Sequence, residues 1–181
     1  MKTENTTKEK ILESARYLMG KSGYSGVSIN DIAKNVGITK ASIYYFFKNK
    51  ESIYLEILKE IIKEIQINYT INSDTKVTKE LLIEKIENSI KHGVKHGTII
   101  RIPDMQDFKN NKNDLIEIDK ETKKVHKLMI NFLKKCHVSN PEFAVQMIID
   151  MSHAYILRNL CKTNELTPRK LALNIVKVLK N

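Results

Sequence analysis

The chain has 181 residues, 41% of them hydrophobic and 29% charged, with 31 Lys and Arg against 21 Asp and Glu for a formal net charge of +10. That length buries a substantial core and accommodates one small domain beside one larger one, while two cysteines without CxxC spacing, Cys136 and Cys161, exclude a disulfide framework or zinc knuckle and read as buried thiols. No apolar run reaches the length of a bilayer span and the polar start MKTENTTKEK lacks the apolar segment of an export signal, so a cytoplasmic protein with no membrane partner is expected.

The pattern is helical throughout. Thr6 and Glu9 form a capping box ahead of Ile11, Leu12, Ala15, Leu18 and Met19, the apolar face of a first helix that Gly20, Gly23 and Gly26 break up. Ser28 with Asp31 is a second capping box, the Ser oxygen accepting from a free backbone N–H and the carboxylate favouring the positive helix end. Ile29, Ile32, Ala33 and Val36 then recur at i, i+3, i+4 and i+7, and Gly37 ends the helix in a left-handed turn without a Cβ clash. Thr39 caps a third helix, whose first turn of Lys40, Ala41 and Ser42 is small or polar and lets a backbone come close to a surface. The run Ile43, Tyr44, Tyr45, Phe46, Phe47 follows. At about 100° per residue, Ile43 and Phe47 share a face and Tyr45 points almost opposite, beside Ala41 and near Lys48. The helix is short and its inner face is taken, so Tyr45, and with it Tyr44, is expected outside, where an amphipathic ring suits a thymine methyl, a base edge or a phosphate oxygen. Two short helices joined by a Gly turn, the second with outward aromatics, are what a helix-turn-helix needs to place a helix in the DNA major groove.

The stretch GYSGVSINDIAKNVGITKASIYYFFKNKESI resembles the N-terminal signature of the TetR family of transcriptional regulators, and the resemblance runs from Thr7 to Leu58 with cap, turn, aromatic and basic positions in one register. It implies that Thr39, Lys40, Ala41, Ser42, Tyr44 and Tyr45 face DNA, that Lys50 contacts a phosphate as the next helix opens, and that Ser28 meets the DNA backbone. Ala41 stands where the family often has Gly or Pro, and Phe46 where it often has His; the second change removes a polar group able to reach a phosphate and bears on operator preference. Charge points the same way. Residues 1 to 50 hold nine Lys and Arg against four Asp and Glu, residues 51 to 181 hold twenty-two against seventeen, and the positive density is therefore highest at the motif. Counterion release there supplies affinity that weakens with salt.

After Asn49 a long helix begins, with Ile53, Ile57, Ile61 and Ile65 at i, i+4 steps, running to about Ile71. INSDTKVT is a break, and a helix from Thr78 carries Leu81, Leu82, Ile86 and Ile90 to an end at Gly93 or Gly97. Residues 97 to 113, polar and interrupted by Pro103, fit a short helix or a loop. Asp114 to Cys136 form the next helix; Asn140 with Pro141, and Thr167 with Pro168, are caps followed by an N1 proline that start the last two. These present apolar residues on more than one side, with Val145, Ile149, Ala154 and Ile156 on one helix and Ala172 and Val176 on the other available to a second subunit.

The expected fold is all-α, about nine helices: a helix-turn-helix domain over residues 1–50 and a helical bundle over 51–181 for effector binding and dimerisation. The resemblance implies a homodimer through the last two long helices, a palindromic double-stranded DNA operator, and a pocket whose ligand shifts the spacing of the DNA-reading heads. Tyr69, Ile90, Met105, Phe108, Met129, Phe132, Met151 and Tyr155 are candidate lining residues for a small hydrophobic effector; ordinary core packing is the default reading of each. His92 and His96 lie four apart in HGVKH, a spacing that puts two imidazoles on one helix face, but no carboxylate or Cys follows at a helpful distance and an exposed or capping pair is expected, with no metal and no cofactor assigned. No phosphate-binding Gly loop, HExxH or nucleophile elbow supports an enzyme. The chain reads as a DNA-binding regulator, with a ligand-independent architectural DNA binder as the alternative.

Overall fold

A computed structural model describes residues 6–96, 112–160 and 166–180. Among them are eight helices and no strand: α1 (Thr7–Ser22), α2 (Ile29–Val36), α3 (Lys40–Phe46), α4 (Lys50–Tyr69), α5 (Lys79–His96), α6 (Lys112–Lys135), α7 (Pro141–Leu160) and α8 (Pro168–Leu179). The short element expected before α6 falls on 97–111, outside the described residues, as do Met105, Phe108 and Cys161. None of the described helices is long and apolar enough to cross a membrane.

The chain divides into two compact units, Met1–Ile61 with His96–Asp119, and Ile62–Lys95 with Lys120–Asn181. In the first, α1 packs on α2 and α2 on α3. The capping box at Thr6 is closed in both directions, and α1 continues through Gly20 rather than stopping there; it ends at Gly23, whose N–H reaches the Met19 carbonyl at 2.8 Å. A glycine inside a helix costs only about 1 kcal/mol, which burial of Ile11, Leu12, Ala15 and Met19 on the same helix outweighs. Lys8 pairs with Glu56 at 2.8 Å and Arg16 with Glu60, tying α1 to α4, and Lys59 holds both Asp114 (3.0 Å) and Glu117 (2.7 Å) at the start of α6. Each such pair, lying at or near the surface, stabilises little by itself.

The second unit is built on one apolar cluster drawn from the end of α4 and from α5, α6, α7 and α8. Here α5 runs past Gly93, the earlier of its two expected ends, to His96. A Cβ on Gly93 would come within 2.5 Å of Ile156 Cδ1, so this glycine serves a close approach between α5 and α7. Arg169 on α8 grips Glu80 and Glu87 on α5, the second at 3.0 Å. The faces of α7 and α8 differ in part from expectation. Val145, Ile156, Ala172 and Val176 are buried within the chain, Ile149 is half-buried and Ala154 is exposed, while Phe143, Leu157, Leu173 and Val178 are exposed large apolar residues.

Candidate nucleic-acid interface

Three local devices hold the turn between α2 and α3. Ser28 caps α2: its hydroxyl accepts the Asp31 N–H at 3.2 Å, and the Asp31 carboxylate accepts the Ser28 N–H at 2.9 Å and its hydroxyl at 2.6 Å. These hydrogen bonds hold the Asp31 carboxyl below the usual carboxylate range. Gly37, at φ 79°, is left-handed and donates to the carbonyls of Ala33 and Lys34, while the Ile38 N–H also reaches Ala33. Thr39 then accepts the Ser42 N–H at 3.1 Å to start α3.

Ile43 and Phe47 anchor α3 in the first unit, both buried. With those two inside, the helical repeat turns the next residues out: Tyr45 is 84% exposed and Tyr44 48%. Thr39, Lys40, Ala41 and Lys48 are exposed beside them, Ser42 is half-buried, and Ser28 is exposed at the start of α2. The rings are not free rotors. Lys40 Nζ lies 5.8 Å from the centre of the Tyr44 ring, and Tyr45 packs edge-on to Phe46 at 5.0 Å. The result is a two-turn rod with a threonine cap, two ammonium groups and two phenols on its outer side, chemically matched to phosphates and base edges.

Lys50 is placed differently. Its ammonium donates to the carbonyls of Tyr24 and Val27, each at 3.0 Å, and sits 4.0 Å from the centre of the Tyr24 ring, which itself packs edge-on to buried Tyr54. Burial raises the pKa of the Tyr54 phenol, so that ring stays neutral beside Tyr24. Lys50 thus clamps the loop that delivers Ser28 to the surface, a structural part that the sequence did not reveal because its partners are 23 and 26 residues away. Replacing Lys50 with Met is expected to cost about 1.5–3 kcal/mol, since charged hydrogen bonds to two carbonyls disappear; urea denaturation of the full chain measures it.

The effector candidates among the described residues fall in the second unit. Tyr69, Ile90, Met129, Phe132 and Tyr155 are buried in its one cluster, and Met151 is partly buried against it. Ser89 donates to the Tyr69 hydroxyl at 3.0 Å, and burial pushes that phenol up to about 12. Tyr155 donates to the Leu166 carbonyl at 2.9 Å. Cys136 is buried as expected, its thiol pushed up to about 11 and so a poor nucleophile at neutral pH. The histidine pair is not exposed: His96 is 1% exposed, and the His92 side chain, 15% exposed, is hydrogen-bonded to Glu64 of α4.

Residues 11–57 match the family model for bacterial regulatory proteins of the tetR family. Over these residues the chain is similar to the TetR family. The chain is 48% identical over 52 residues to the biofilm operon icaADBC HTH-type negative transcriptional regulator IcaR of Staphylococcus aureus (strain Newman), covering 29% of this chain and 28% of that protein. The IcaR of Staphylococcus epidermidis is 49% identical over 47 residues, covering 26% and 25%. The chain thus spans little more than a quarter of the length of the curated relatives it matches. Its overall fold resembles that of a transcriptional regulator from Aquifex aeolicus (TM-score 0.69, 24% identity, 97% of this chain and 98% of that one). It also resembles the TetR family transcriptional regulator PfmR from Thermus thermophilus (TM-score 0.74, 19% identity, 94% and 97%).

Proposed function

We propose that this chain is a sequence-specific DNA-binding transcriptional regulator that works in the cytoplasm as a homodimer and represses until a small hydrophobic ligand releases it from a palindromic operator. The observation that carries the reading is the outward face of α3, with Tyr45 84% exposed on a helix fixed by Thr39 at one end and Phe47 at the other. Thr39, Lys40, Ala41, Ser42, Tyr44 and Tyr45 read the groove, while Ser28, Lys48 and the charge of Lys50 meet phosphates. Repression follows from likeness to relatives named as negative regulators. In the division of labour we assign, residues 1–50 read DNA and 51–181 bind the effector and dimerise. A two-fold operator needs two heads, and Phe143 and Leu157 on α7 with Val178 on α8 are apolar residues left outside the chain's own core for a partner copy. Release by ligand is linkage: the effector stabilises the geometry of the dimer that cannot hold the operator.

The test is selection of DNA from a random duplex library with the full chain, followed by anisotropy titration of the enriched sequence and a scrambled control. An enriched inverted repeat bound at least about a hundredfold tighter than the control is expected. Equal binding to both overturns the regulator reading and leaves an architectural DNA binder.

A further inference from the structure

We infer that the first unit holds a binding cleft for a small aromatic carboxylate, bordered by Phe46 and Lys48 at the end of α3. Its volume is about 200 Å3, and every residue that borders it belongs to that one unit. Buried Phe47 and Leu55 supply its apolar base, and Phe46, 39% exposed, adds a ring that solvent reaches. A dry cavity of about 150 Å3 takes benzene, so this cleft has room for a single ring with a short acidic arm.

The charges around the cleft select the sign of the guest. Lys8 is paired with Glu56 at 2.8 Å, and Lys59 with Asp114 at 3.0 Å and with Glu117 at 2.7 Å. Both carboxylates that border the cleft, Glu56 and Asp114, are thereby committed to lysines, whereas Lys48 is exposed and makes no ion pair among the described residues. An anion entering the cleft meets an uncommitted ammonium; a cation has to displace a lysine from its carboxylate. One exposed ion pair contributes little by itself, so the body of the guest supplies the rest. Against Phe46 an aromatic ring gains edge-on or offset contact that an aliphatic tail of similar length does not. Phe46 also packs edge-on to Tyr45 at 5.0 Å, and Lys48 is the residue given a phosphate above, so guest and operator compete for one ammonium and bear on the same ring. That consequence rests on the DNA-binding reading; occupancy of the cleft does not.

The test reads ligand binding without DNA. 4-Fluorophenylacetate is titrated against the full chain and followed by fluorine NMR relaxation, with the neutral 4-fluorophenylacetamide titrated in the same way and hexanoate measured by displacement. A dissociation constant of about 0.1–1 mM is expected for the aromatic acid, the range open to about eleven non-hydrogen atoms. The amide and hexanoate should each bind at least about threefold more weakly, the first for want of the ion pair and the second for want of the ring. Lys48→Gln and Phe46→Ala are each expected to weaken binding of the aromatic acid by at least about threefold with circular dichroism unchanged. Lys34→Gln, an exposed lysine of α2 outside the cleft, should bind as wild type does. If Phe46→Ala loses helix, Lys48→Gln decides alone. Absence of binding at about 5 mM overturns the proposal, being far above the expected constant. So does equal affinity in wild type and Lys48→Gln, a loss in Lys34→Gln as large as that in Lys48→Gln, or an amide or hexanoate bound as tightly as the aromatic acid.

Discussion

Tyr45→Ala is expected to lower affinity for the selected operator by at least tenfold while leaving the melting temperature within about 1 °C of wild type. The ring is 84% exposed and packs edge-on to Phe46, itself partly exposed, so removing it sacrifices little packing and surface changes of this kind shift stability by less than about 0.5 kcal/mol. Against DNA the same ring is worth about 1–3 kcal/mol, the range of a side chain that reads one base position, and the loss should fall on operator more than on scrambled duplex. Lys48→Ala gives the contrasting result: affinity for both duplexes drops by a similar factor, and the slope of log affinity against log salt shrinks by about one, because one phosphate contact and its counterion are lost. Lys48 is the cleaner probe of charge than Lys50, whose ammonium also holds the Tyr24 and Val27 carbonyls. Anisotropy titrations over a salt series, with circular dichroism on each variant, check both. A Tyr45→Ala chain that has lost helix would mean the ring supports α3, and an unchanged operator affinity would remove Tyr45 from the interface.

The head was legible in the sequence because its determinants act over three or four residues. Thr6 with Glu9, Ser28 with Asp31, and Thr39 with Ser42 each close a hydrogen bond at i, i+3, and the orientation of Tyr45 follows from helical periodicity once Ile43 and Phe47 are inside. The same local logic placed the starts of α7 and α8, where Asn140 accepts the Phe143 N–H and Thr167 the Lys170 N–H. What escaped the sequence depends on partners remote along the chain. Glu64 meets His92 across 28 residues, and Gly93 reads as a helix stop until Ile156 is seen against it. α7 is apolar around much of its circumference, so periodicity could not say that Val145 and Ile156 turn inward while Phe143 and Leu157 stay out; the neighbours on either side make that choice. For the effector candidates the ambiguity is chemical, since the residues that line an apolar pocket are those that fill a core.

Phe132→Ala separates those two meanings. Phe132 is 1% exposed, lies edge-on to Tyr69 with ring centres 5.7 Å apart, and belongs to the cluster that also holds Ile86, Ile90 and Met129. Deleting such a ring from a packed core removes its transfer energy and leaves a cavity whose walls close only in part, a cost of about 3–5 kcal/mol, and urea denaturation of the full chain should register a loss of that size. The void is apolar, stays dry, and takes small apolar molecules, so benzene or indole should raise the melting temperature of Phe132→Ala and leave wild type unmoved. If Phe132 instead borders the effector pocket of the wild-type chain, the pattern inverts. Long-chain acyl compounds or lipophilic cations then stabilise wild type, truncation abolishes that gain, and the denaturation penalty falls well below about 3 kcal/mol because the ring gave up less contact than a core position does.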